Sequence, residues 1–294
     1  ATDNASQIKA GALPSRPRRE ATYHAVMSLR MGLVVLLTSG LLAAPGAARA
    51  DDRVLCSISA PGLQEISGLA DSPRHSVFVW NHNDSGGGAK VYALDTATCE
   101  VRATVTLGGM PGIDPEAIAA SVNSRGRPVL WLADIGDNSH QRPRVFLYRF
   151  IEPDTLTDQT VQARKFVVRY PKPVDAEALL VGPKALWIIS KDATAGAVWK
   201  VRLPLRKKVN RARKVGSEGA FVSDASMAPD GRHFVVRDYS EARVYRGLPP
   251  GLLVDRFALP GQIQGEAITW TLDGRGFLVA SERDPRLIQV PWSP

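Results

Sequence analysis

Three features of the sequence predict an all-β protein whose domain is a single, closed β-propeller of five blades. An acidic–aromatic–charged pattern recurs five times beyond residue 60, and its copies begin 51, 61, 47 and 42 residues apart. A four-stranded blade takes about 40–50 residues, so each copy fits one blade, with insertions in the early ones. No stretch beyond residue 50 sustains helical periodicity over about 15 residues, which argues against a parallel α/β sheet.

The copies open on Glu65, Glu116, Glu177, Asp224 and Glu266, each followed by small and apolar residues. An aromatic in an apolar run follows (Trp80, Trp131, Trp187, Phe234 and Phe277), and each run ends on a charge: Asp84, Asp134, Lys191, Arg237 and Glu282. Turn sequences such as Pro229-Asp230-Gly231 separate the two segments. Further strand-like runs lie at 90–94 and 101–107, 145–150 and 162–169, 197–203, 243–245 and 252–258, and 287–290. The last copy is one strand short, and a spare strand at 53–59 precedes the first. Pairing the spare strand into the last blade closes the ring and removes an exposed sheet edge. Room for a sixth blade exists in the divergent stretches 151–175 and 203–222. A β-sandwich accommodates the strand lengths but does not predict five copies of one pattern.

Composition is that of a globular chain, with 44% hydrophobic and 22% charged residues and frequent Gly and Pro between apolar runs. Residues 27–50 read as a bacterial secretory signal: Arg30, an apolar core from Gly32 to Ala44, and a small-x-small site at Ala48-Arg49-Ala50. That core is shorter than the roughly 20 residues of a membrane span, although an uncleaved anchor is the alternative. Residues 1–26 fit neither leader nor domain and read as an upstream extension. Export to a periplasmic or extracellular space is the expectation, and there Cys56 and Cys99 would pair, against the alternative of two buried thiols. Two cysteines without histidines at ligand spacing disfavour structural zinc.

The net charge of +8 is local. Residues 51–294 carry 31 basic against 27 acidic side chains, and six of the basic ones (Arg206, Lys207, Lys208, Arg211, Arg213 and Lys214) fall within nine positions. The domain outside that tract is slightly acidic, so no specific nucleic-acid partner is expected. The tract reads either as a solvated loop or as a contact for an anionic surface. A monomer with an unidentified small-molecule or envelope ligand is the expected state.

Blade topology brings the charges together. In a propeller the first strand of each blade lines the axis and the second returns beside it. Each acidic head therefore lies next to its charged strand end, at one end of the channel. Glu65, Asp84, Glu116, Asp134, Glu266 and Glu282 form an acidic arc from blades five, one and two, opposite a basic half formed by Lys191 and Arg237. Such an arc suits a hard divalent cation, Ca²⁺ above all, with a polar or anionic ligand opposite. Alternatively the heads latch neighbouring blades by accepting backbone N–H bonds, a reading that fits Glu177 and Asp224 best. Two loops, Asn81–Gly88 with Asn83 and Asp84, and Asp134–Asn138 with Asp137, combine oxygen donors with glycine. They read either as ligand loops or as Asx turns, and neither has the EF-hand pattern.

Five segments, His82–Gly86, Asp114–Ala119, Asp134–Asn138, Glu152-Pro153 and Asp175–Leu179, resemble secreted bacterial propeller proteins of largely unknown function. More distantly they are similar to esterase-like phytase and gluconolactonase-like propellers. The resemblance implies a divalent metal at the channel mouth, with Glu65, Asp84, Glu116 and Asp134 as counterparts of the family's ligands. A metal-dependent hydrolase of esters, lactones or phosphoesters would follow, with Glu116 as the acidic catalyst and Lys191 or Arg237 countering developing negative charge. No Gly-x-Ser-x-Gly elbow and no HExxH motif occurs, which disfavours a serine hydrolase or a zincin. A non-catalytic propeller that binds a ligand or a protein at the same face is the alternative.

Overall fold

The five copies form five antiparallel sheets in the computed structural model, which describes residues 51–63, 65–84 and 87–293. The leader and the extension expected within 1–50 lie outside the described residues. Blade one comprises Ile66–Asp71, Phe78–Asn83, Lys90–Asp95 and Val101–Leu107. Blade two comprises Pro115–Val122, Pro128–Asp134, Val145–Ile151 and Arg164–Arg169. Blade three runs through Ala176–Val181, Ala185–Ser190, Ala197–Arg202 and Arg213–Ser217, and blade four through Asp224–Met227, His233–Arg237, Glu241–Arg246 and Leu252–Ala258. Gln264–Trp270, Gly276–Glu282 and Asp284–Pro291 make three strands of blade five, and Arg53–Ser57 supplies the fourth by pairing antiparallel with Asp284–Pro291. The ring is thus closed by its N-terminal strand. Each innermost strand packs against the innermost strand of both neighbouring blades.

Apolar side chains on the two faces of each sheet build five core layers, one between each pair of adjacent blades. The repeated aromatics sit in these layers: Trp80 between blades one and two, Trp131 between two and three, Trp187 and Phe234 between three and four, Phe277 between four and five. Their large buried surface fixes the splay of the sheets.

The divergent stretches hold no sixth blade; they stitch blades together. Gln159–Val161, in the connection that leads to the outer strand of blade two, pairs parallel with Val101–Leu107 of blade one. Asn210–Arg211, in the connection that leads to the outer strand of blade three, pairs parallel with Arg164–Arg169 of blade two. The basic tract is therefore anchored. Buried Asn210 accepts the Arg206 N–H at 2.7 Å and donates to the carbonyls of Val167 and Arg206, both at 3.1 Å.

Cys56 and Cys99 form a disulfide across 43 residues, with Cα atoms 5.6 Å apart. It joins the closing strand of blade five to the outer turn of blade one, so the seam of the ring is sealed covalently as well as by hydrogen bonds.

Candidate functional site

Backbone geometry decides which head residues face the channel. In blades one, two, three and five the pairing of first and second strands slips by one residue, leaving Ser67, Glu116, Glu177 and Glu266 unpaired. Such bulges re-aim the extra side chain. Blade four pairs without a slip from Asp224 onward. Register thus places Ser67, and not Glu65, beside the heads of blades two, three and five. Glu65 lies before the strand, exposed, and its carbonyl accepts the Asp84 N–H at 2.9 Å.

Three carboxylates converge at the mouth: one oxygen each from Asp84, Asp114 and Glu116 lies within 4.8 Å of the others. Glu116 is buried, and Ser67 Oγ donates to its Oε2 at 3.3 Å. Burial raises the Glu116 carboxyl well above the usual range, and the charges of Glu177, Asp84, Asp114 and Asp175 push the same way. Asp114 is pushed up to about 6 by burial and then by Asp84, with Arg142 opposing. Glu282 is raised by burial and by Asp84 and Glu65. In all three groups burial is the first cause and neighbouring carboxylates add to it.

Asp134 and its loop build the wall of this cluster. The Asp134 carboxylate accepts Ile113 N–H at 2.9 Å, Asp114 N–H at 3.2 Å and the Tyr148 hydroxyl at 2.8 Å, and it pairs with Arg142. Every one of these bonds competes with metal ligation, so Asp134 positions Asp114 from behind. Asp137 caps its own turn through Gln141 and Arg142 N–H groups at 2.8 and 2.9 Å, while Asn138 is exposed on the rim. Gly136 lies against the acids: a Cβ there would sit 2.4 Å from Glu116 Oε1 and 2.5 Å from Asp114 Oδ2.

The expected basic half shrinks to one lysine. Lys191 Nζ pairs with Glu177 Oε1 at 2.9 Å and sits 5.5 Å from the centroid of the Tyr239 ring. Burial works against its charge, but Glu177 outweighs burial and holds Lys191 above the ordinary lysine range. Glu177 itself is pushed up to about 7 by burial, against the pull of Lys191. It is an ion-pair partner and not the expected latch.

Arg237 is wholly buried between blades four and five. Its guanidinium donates to the carbonyls of Ala267 at 2.8 Å and Ala280 at 3.3 Å, and burial lowers it to about 10. A Cβ at Gly265 would lie 1.8 Å from its Nη2, so the clamp requires glycine there. Asp224 is the expected latch: it accepts Ala225 N–H and, across the blade boundary, Ile268 N–H, both at 2.8 Å. Glu266 accepts from Gln264 at 2.9 Å, and its Oε2 has no partner among the described residues; the same holds for Asn83 Oδ1 at the end of the Phe78–Asn83 strand.

Asp114, Asp175 and Ser67 belong to the site although the pattern of heads passed over them. Asp175 Oδ1 accepts the Asp137 N–H at 2.7 Å and so fixes the loop beside the acids. The available signal was the Asp-x-Glu spacing in Asp114–Glu116 and Asp175–Glu177, which sets a second carboxylate just ahead of each first strand.

Fold and site together define a five-bladed propeller with an acidic channel mouth. No family model matches the sequence, and no curated protein matches it. Among solved structures, the chain is similar to U3-55K, at 13% identity over 77% of this chain and 68% of that one, with a TM-score of 0.42. A chain in a nidogen/laminin complex gives 15% identity over 74% of this chain and 72% of that one, with a TM-score of 0.42. Hydrazine synthase of Kuenenia stuttgartiensis gives 11% over 74% and 61%, with a TM-score of 0.40.

Proposed function

We propose that this propeller binds a hard divalent cation at its channel mouth through Asp84, Asp114 and Glu116, and that the cation holds a polar or anionic ligand in the channel. The observation that carries this reading is the convergence of three carboxylate oxygens within 4.8 Å, one from a buried glutamate that no lysine or arginine pairs with among the described residues. An all-oxygen donor set suits Ca²⁺, which takes carboxylates, carbonyls and water in flexible numbers. Gly136 leaves the space the acids occupy, and Asp134 and Asp175 hold the surrounding backbone. The Cys56–Cys99 disulfide supports an exported setting, consistent with the leader read in 27–50.

Hydrolysis of an ester, lactone or phosphoester at that cation, as the family resemblance implies, is a second reading. Lys191 favours it: a charged amine at the edge of the acidic arc is placed to balance an oxyanion. Arg237, whose guanidinium is committed to backbone carbonyls, has no part in that chemistry.

Calorimetric titration of chelator-treated protein with Ca²⁺ tests the main reading. One site per chain and a rise in melting temperature are expected, and Asp114→Asn should weaken binding more than tenfold while melting normally without metal. No heat of binding and no effect of chelator would exclude the site. A panel of aryl esters, lactones and phosphoesters tests the second reading, and activity that survives Glu116→Gln would remove the mouth as the active site.

A further inference from the structure

The opposite end of the channel opens into a cavity of about 1780 Å³ that extends outward between blades two and three. It lies beneath the tails of the innermost strands, a full strand length from the acidic mouth. Blade two contributes Arg149 and Arg164 to its lining, and blade three contributes Lys184, Lys200 and Arg202. The anchored connection that pairs with blade two adds Arg206 and Arg211, and the start of blade three's outer strand adds Arg213. Among the described residues the lining sets one carboxylate against these cations, Asp71, which already accepts the Leu272 N–H from blade five at 2.8 Å and the Ser72 N–H at 3.0 Å.

None of these cations has a carboxylate within salt-bridge distance among the described residues, although such partners are common on this protein's other faces. Two of the guanidiniums are held in place. Arg149 lies over the Trp131 ring at 5.4 Å and Arg164 over the Phe166 ring at 4.9 Å, so each fork is oriented before a ligand arrives. Arg149 Nε is buried and has no acceptor among the described residues. Burial and the charge of Arg164 both disfavour the charged form of Arg149, a cost that an anion between them would relieve. The cavity is larger than the roughly 300–1,000 Å³ of a typical small-molecule site, so it has room for a ligand with several charged groups.

We infer that this basal cavity is a binding site for a ligand carrying several phosphate groups in series, gripped by the stacked arginines Arg149 and Arg164 and by Arg202, Arg206, Arg211 and Arg213. Phosphate fits because each group offers several acceptor oxygens to planar guanidinium forks, and several of them answer the cations that two blades and the connection between them bring to one cavity. The site is separate from the channel mouth and stands or falls independently of the cation there.

Tripolyphosphate titrated calorimetrically into the intact protein is the test, with orthophosphate and citrate as comparisons. Tripolyphosphate should bind one to one, at least tenfold more tightly than either comparison, with an affinity that falls steeply as salt is raised. Arg149→Gln should weaken it at least tenfold. The double variant Arg164→Gln/Arg211→Gln, which alters exposed side chains and leaves the core untouched, should do the same. Asp114→Asn should leave it unchanged. Absence of tripolyphosphate binding would overturn the inference, as would citrate binding equally well. So would binding that survives the arginine variants but is lost in Lys207→Gln/Lys208→Gln, which would reduce the site to diffuse loop charge.

Discussion

Gly136 shows how closely single residues set this site. Two carboxylates occupy the volume its side chain would need, and the backbone there donates to the Asp114 carbonyl at 3.1 Å. Gly136→Ala should therefore push Glu116 and Asp114 apart, cutting calcium affinity at least tenfold and costing about 1–3 kcal/mol of stability, read by calorimetry and denaturant melts. At this scale the sequence was partly legible. Asp84 and Glu116 stood out as charges in a repeat. Asp134 stood out equally, yet Tyr148, Arg142 and two backbone N–H groups consume it, and no spacing in the sequence shows which carboxylate meets a phenol and a guanidinium. Arg237 reads the same way as Lys191 in the pattern. The unbulged start of blade four leaves it facing inward between sheets, whereas Lys191 reaches an acid at the channel.

Among the elements, the bulged first strands carry most of the functional meaning. Their slips aim Glu116, Glu177 and Glu266 at the axis, and a one-residue slip cannot be read from continuous apolar runs of Ala, Ile and Leu. That is why Glu65 aligned with the other heads in the sequence while Ser67 occupies the position in space. The outer strands hold a second electrostatic feature. Glu218, just past Arg213–Ser217, is buried and pushed up from an ordinary 4.5 to about 7, chiefly by burial, with Tyr245 and Arg243 opposing. A carboxyl raised on folding takes up a proton as the chain folds. Its contribution is complete below about pH 4.5 and is lost as pH rises through about 7. Glu218→Gln should therefore remove a slope of up to about 1.4 kcal/mol per pH unit between these values, and the variant should gain on the wild type above pH 7 in urea melts.

For the whole molecule, closure is the dominant event. The N-terminal strand completes blade five and the Cys56–Cys99 bond fastens it to blade one, so the covalent seal spans the joint where a propeller otherwise opens. Removing it with Cys56→Ser/Cys99→Ser should cost about 2–4 kcal/mol, seen as a lower midpoint in denaturant that reducing agent reproduces in the wild type. Blade number and closure were legible because the repeat itself encodes them. The stitching of blades by 159–161 and 210–211 was not, since two or three residues of parallel pairing carry no periodic signal. That stitching also turns a basic tract, which reads as a solvated loop, into the wall of a cavity. The molecule is thus polarised along its axis, acidic at the mouth and basic at the base. The most direct test of the acidic end is a crystal structure grown with Ca²⁺ and checked by anomalous scattering. An ion bonded to Asp84, Asp114 and Glu116 at about 2.3–2.6 Å is the expected result. Well-ordered carboxylates with only water among them, at saturating calcium, would contradict it.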